Sequence, residues 1–224
     1  MRLLLVSATH FEIDETAQWL THTASSHNAS KAELLISGIG QLKTTFAIQK
    51  QIHKQRPDLV IQAGIGGANS TDEIGKVYVI GSEQISDLGL MEKSGFTNIF
   101  EMGLSLKDEF PFTDGKLMNP YRSLLKWTGL PILDGITVNE IKSADFSGFQ
   151  RNAVPVVESM EGAALHYVCL MEKIPFLQIR SVSNMIGDRD KSQWKIKEAL
   201  GRLNETLISM IQKLENTDET IFGI

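Results

Sequence analysis

The stretch VPVVESMEGAALHYVCLMEKIPFLQIRSVSN, residues 154–184, decides the fold. It opens on a short β-branched run, Val154–Val157. It then passes into an apolar segment of helical spacing from about Met160 to Lys173, and ends in a second apolar run, Pro175–Val182. A buried strand, a helix and another buried strand in close succession call for a sheet covered on both faces.

Outward from this unit the alternation continues. Strands are predicted at Leu3–Ser7, Glu33–Ser37 and Leu59–Ala63, with helices from about Glu12 to Thr21 and Leu42 to Lys54. Val77–Ile85 and Ile132–Val138 are further β-branched runs, and Gln193–Leu214 reads as a long final helix. The pattern predicts an α/β protein with one domain over residues 1–215 and a frayed tail at 216–224. The stretch from Gly89 to Pro131 is irregular, and reads as a functional loop, a subunit contact or elements that the local pattern misreads.

Composition narrows the classes. With 42% hydrophobic and 22% charged residues in 224, the chain suffices for a substantial core. A formal net charge of −5, with no Lys/Arg-rich run, argues against a polymeric nucleic acid as partner. The apolar run Leu3–Ala8 is too short for a membrane span and lacks a signal cleavage site after it, so no membrane association is expected. A single cysteine, Cys169, permits no internal disulfide and fits a reducing cytoplasm.

Glycine-containing turns are expected after three strands: at Gly38–Gly40, at Gly64–Gly67, and at the end of the strand reaching Ser183-Asn184. Neither glycine pair completes a dinucleotide fingerprint, since Asn69 and Lys43 stand where Gly or Ala is needed, and no phosphate loop exists. His166 and Cys169 share a helix face but lie in an apolar helix, so core packing is the better reading and no metal is expected. Glu158 and Glu161 stand where a strand ends and a helix begins. They read either as capping groups, with Ser159 as the cap, or as acceptors for a ligand's hydroxyls.

The blocks Ala8–Glu12, Ser37–Gly40, Gln62–Gly67, Glu158–Ala164 and Arg180–Asp190, in that order, resemble the purine nucleoside phosphorylase and nucleosidase superfamily. Within it the chain is similar to the nucleosidases of methylthioadenosine and adenosylhomocysteine, and more so to the futalosine hydrolases of the alternative menaquinone pathway. The resemblance is weak between Gly89 and Phe149. It implies a three-layer α/β/α sandwich with a mixed central sheet, a nucleoside phosphorylase-like fold, and a homodimer in which aromatics of 96–112 close the neighbour's site. It also implies a purine nucleoside and water as partners, with no cofactor.

Breaking an N-ribosyl bond builds positive charge on the sugar while electrons flow onto the purine, so the sugar, the water and the leaving base each need a partner. By resemblance, Glu12 activates water, with Thr9 in the same turn, and Glu161 and Met160 hold the ribose. The base rests at Ser183 and Asn184 beside Gly66 and Gly67, while Ile39, Trp194 and Arg189 face the 5′ group, with Lys191 as an alternative cation. The base-stacking residue is left unassigned. Relatives that release adenine carry Asp at the position of Asn184. An Asn amide donates to N7 or O6 without a shifted pKa and favours hypoxanthine; the competing reading is that Asn184 only caps the following turn. Gln62, where phosphorylases carry Arg, favours water over phosphate. An adenine-releasing nucleosidase, an inosine-type phosphorylase and a non-catalytic nucleoside-binding protein remain the alternatives.

Overall fold

The structure, a computed structural model, describes residues 1–23, 31–93, 95–142 and 154–214. The tail at 216–224 therefore lies outside the described residues. The strands are β1 (Arg2–Ser7), β2 (Lys31–Ile36), β3 (Leu59–Ala68), β4 (Val77–Ile85), β5 (Gly89–Glu92), β6 (Gly95–Asn98), β7 (Leu117–Met118), β8 (Ile132–Thr137), β9 (Val156–Ser159) and β10 (Phe176–Met185). The helices are α1 (His10–Thr23), α2 (Gln41–Lys54), α3 (Arg122–Trp127), α4 (Gly162–Glu172) and α5 (Ile196–Leu214).

The central sheet is mixed. β2, β1, β3 and β10 run parallel, β4 pairs antiparallel to β10, and β9 pairs antiparallel to β3. β8 lies parallel to both β4 and β9. The pairings β3–β10–β4–β8–β9–β3 thus close a ring, so one end of the sheet is a small barrel rather than an open edge. Val157, Val182, Tyr78, Ile80 and Ala68, from four of these strands, pack together as a buried apolar cluster. Helix α1 packs with α5, and α2 packs with α4. The amphipathic α5 shows why: Ala199, Leu203, Leu207, Met210, Ile211 and Leu214 recur at helical spacing and are all buried.

Two expected turns are strand instead. β3 continues through Gly64–Gly67 to Ala68, and β10 continues through Ser183-Asn184 to Met185. Ladder bonds between these two strands hold the glycine run extended, overriding the local turn preference of glycine. The stretch from Gly89 to Pro131 contains the β5–β6 hairpin, β7 and the short helix α3. The final helix begins at Ile196, because a separate short turn, Lys191–Gln193, precedes it.

α1 departs from helical geometry at Ile13, with φ −125° and ψ 21°. There the Asn204 amide, from α5, occupies the place of a helical hydrogen bond. Its Nδ2 donates to the Glu12 carbonyl at 3.0 Å, and its Oδ1 accepts from the Thr16 N–H at 2.9 Å and hydroxyl at 2.6 Å. A side chain inserted into the ladder bends the first turn while pairing the Glu12 carbonyl and the Thr16 N–H.

Candidate active site

A cleft of about 280 Å³ opens where β1, β3, β8, β9 and β10 end. Thr9 enters it from the link after β1, Glu12 from the first turn of α1, and Ile39 from the glycine turn after β2. Gly66 and Gly67 come from β3, Ser183 and Asn184 from β10, and Met160 and Glu161 from the link between β9 and α4. Trp194 and Arg189 complete the set, so the residues expected to hold water, ribose, base and 5′ group line one cleft, whereas Gln62 lies behind it. Lys191 is not among the lining residues.

Glu12 is 8% exposed and heavily tethered. Its Oε2 accepts from the Ser7 hydroxyl at 3.0 Å and from the Thr9 N–H and hydroxyl, both at 3.1 Å, while Oε1 accepts from the Ile65 N–H at 3.2 Å. Among the described residues Oε1 accepts only this one bond, which leaves it a second lone pair for a water in the cleft. Thr9 spends its donors on Glu12, which places it behind the carboxylate as well as in the cleft wall.

Glu161 is 7% exposed. Its Oε1 accepts from the Gly40 N–H at 3.0 Å, and its Oε2 lies 3.7 Å from the Arg180 guanidinium. Arg180 is almost fully buried; it donates to Gln62 Oε1 at 2.8 Å, while Gln62 Nε2 donates to the Glu161 carbonyl at 3.4 Å. A Cβ on Gly64 would stand 2.2 Å from Arg180 Nη1 and 2.7 Å from Glu12 Oε1. Only a glycine lets this cation approach both carboxylates. Sequence reasoning assigned Arg180 no role, since its partners lie far away along the chain.

The expected cap is present in altered form. Ser159 Oγ accepts from the Gly162 N–H at 3.3 Å, and Thr137 Oγ1 accepts from the Ala163 N–H at 2.8 Å. Those side chains serve the start of α4, which leaves the Glu158 and Glu161 carboxylates for other duties. His166 and Cys169 are both buried; His166 Nδ1 bonds to the Leu117 carbonyl, and burial pushes its imidazole down to about 4.

Asn184 is oriented by its neighbours. Its Nδ2 donates to the Met185 carbonyl at 2.8 Å, and its Oδ1 accepts from the Ser183 hydroxyl at 2.7 Å. The reversed amide would set oxygen against oxygen at Met185, so nitrogen is fixed on that side. One hydrogen on Nδ2 is left for a ligand. The bond to Met185 also shows that Asn184 contributes to the following turn. Trp194 donates its indole N–H to the Asp188 carbonyl at 3.2 Å, which fixes the ring against the cleft. The apolar wall includes Phe11, Val138 and Ile141, none of which sequence reasoning had singled out. Glu158 also lines the cleft.

Residues 8–214 match the family model of the phosphorylase superfamily. The futalosine hydrolase of Acidothermus cellulolyticus is 28% identical, over 94% of this chain and 90% of that protein. A second futalosine hydrolase, from Streptomyces coelicolor, is also 28% identical, over 82% of this chain and 80% of its own length. A methylthioadenosine/adenosylhomocysteine nucleosidase of Colwellia psychrerythraea, solved with adenine, superposes with a TM-score of 0.75 at 18% identity. That alignment covers 96% of both chains.

Proposed function

The chain belongs to the phosphorylase superfamily, and from that premise we propose that it is a nucleosidase hydrolysing the N-glycosidic bond of futalosine, releasing hypoxanthine and the remaining ribosyl compound. The observation that carries the choice of base is the fixed amide of Asn184, which presents a donor rather than an acceptor. The O6 of a 6-oxopurine accepts from that donor, whereas the 6-amino group of adenine opposes it. A buried polar mismatch of this kind discriminates by about 10⁴-fold.

Glu12 is the base that draws a proton from water, through the free lone pair of Oε1. Glu161 and Met160 take the ribose, whose developing positive charge the two carboxylates stabilise. Gln62 and Arg180 are occupied with each other and with Glu161, which leaves no cation at that place for a phosphate nucleophile. Trp194 and Ile39 form the platform for the 5′ group, and Arg189 meets its carboxylate. No metal or organic cofactor enters the reaction. The protein acts in the cytoplasm, in the futalosine route to menaquinone.

The working unit is a homodimer. Leu42 and Phe46 on α2 are 86% and 69% exposed, and Leu104, Leu106 and Phe110 in the irregular stretch are similarly bare. Apolar side chains this exposed are the material of a subunit contact, and aromatics of 96–112 close the 5′ end of the neighbour's cleft.

The test is to incubate the protein with futalosine, inosine and methylthioadenosine separately, with and without phosphate, and to identify base and sugar products. Hypoxanthine release from futalosine, independent of phosphate, is expected. Adenine release from methylthioadenosine with futalosine untouched overturns the substrate, and a sugar-1-phosphate product overturns the choice of water.

A further inference from the structure

Three residues stand in a row across three strands. Asn184 on β10 is the register partner of Gly67 on β3, and Gly67 is the register partner of Glu158 on β9. Register partners project to the same face of a sheet, so the middle of this row is a gap without a side chain. A Cβ on Gly67 would stand 3.2 Å from Asn184 Nδ2 and 3.3 Å from Ile186 Cγ1, which puts Asn184 on that face with Ile186 bordering the gap. All three members of the row line the cleft. Two strand spacings, about 10 Å in all, separate the outer two, enough for a purine edge with a hydrogen bond at either side.

Among the described residues no group uses the Glu158 carboxylate: it accepts no hydrogen bond and forms no ion pair, although the residue is half-buried. Burial, and after it the negative charge of Asp87, push this carboxyl up to about 7. An acceptor withdrawn from water without a donor is costly, and a ligand N–H removes the cost.

We infer that Glu158 accepts the N1–H of the leaving 6-oxopurine while Asn184 donates to the adjoining O6. The two groups match the base in sense and in order: donor to O6, acceptor to N1–H. Adenine carries the reverse pattern, an amino donor beside an N1 acceptor, and is opposed at both ends of the row. The inference rests on the 6-oxopurine reading above and deepens it, since discrimination then resides in two side chains of opposite hydrogen-bonding sense.

The experiment is a calorimetric titration of the wild-type protein, Glu158→Gln and Glu158→Ala with hypoxanthine and with 1-deazahypoxanthine, in which an isosteric C–H replaces N1–H. It is run at about pH 8, above the titration of Glu158. The wild type is expected to prefer hypoxanthine by about tenfold or more, the worth of one hydrogen bond to a charged group. Glu158→Gln, whose amide oxygen still accepts, keeps part of that preference, and Glu158→Ala loses it. Equal binding of both bases by the wild type, or a preference that survives in Glu158→Ala, overturns the contact. The same samples are assayed with futalosine. An intact base preference without turnover upholds the contact and overturns the substrate, while turnover without the preference overturns the contact alone.

Discussion

Asn204 donates through Nδ2 to the main-chain carbonyl of Glu12 at 3.0 Å, so a side chain of the last helix holds the bend that aims the first turn of α1 into the cleft. Asn204→Ala leaves the Glu12 carbonyl and the Thr16 N–H without their partner. Each buried orphan costs about 1–3 kcal/mol, so a lower Tm is expected. The kinetic signature is separate: on the roles proposed above, kcat falls while KM for the nucleoside stays near that of wild type, because Glu12 is misaimed and Glu161 is not. An unchanged kcat in the folded variant shows that the bend does not serve Glu12.

Glu12→Gln preserves the shape of the site and removes the proton acceptor. Loss of a positioned general base lowers turnover by about 10²–10⁴-fold. Single-turnover kinetics is expected to show this loss with nucleoside affinity kept. Full turnover by the variant would show that Glu12 is not the base that activates the water.

Asn184→Asp exchanges the fixed amide for a carboxyl that pairs with a 6-amino group. Cleavage of the 6-oxopurine nucleoside is expected to fall by about 10³–10⁴-fold, with adenine-containing nucleosides gaining relative to it. Product analysis with matched inosine and adenosine substrates measures the shift. Equal losses on both would leave Asn184 as no more than a component of the turn after β10.

Glu83 gives a pH dependence of stability. Its carboxylate accepts from Gln178 Nε2 at 2.7 Å and from Thr137 Oγ1 at 2.8 Å, but burial outweighs both and pushes it from 4.5 to about 7. An acid whose folded pKa is raised keeps its proton in the folded state over a range where the unfolded chain releases it. Stability therefore falls as pH rises from about 4.5 to about 7 and levels off above, with a total loss of about 3 kcal/mol. Glu83→Gln keeps an acceptor for Gln178 and carries no titrating proton; its amide N–H faces the Thr137 hydroxyl, which must then accept instead of donate. Thermal melts across this range are expected to show the wild type losing Tm relative to the variant; parallel curves would refute the assignment.

Much of the fold is legible along the chain, because apolar runs of strand length alternate with segments of helical spacing. The alternation of Leu3–Ser7, Leu59–Ala63 and Pro175–Val182 with helices is a local signal, set by which face each segment must bury. Glycine is the place where local reading fails. Gly64–Gly67 has the composition of a turn, yet pairing with β10 draws it out as strand and opens the gap between Glu158 and Asn184.

The sequence by itself also determined which residue types meet in the cleft: Glu12, Glu161, Asn184 and Trp194 carry their chemistry in their motifs. What it left undetermined is how those groups are held. Arg180 finds Gln62 at a separation of 118 residues, and Asn204 reaches Glu12 across 192. Such partners are invisible to spacing, because a buried cation or amide acquires its role only from the groups that folding packs around it. Tertiary structure alone decided that Glu158 would stand half-buried, with no partner among the described residues, in the row with Gly67 and Asn184, and desolvation is what raises the pKa of that carboxyl.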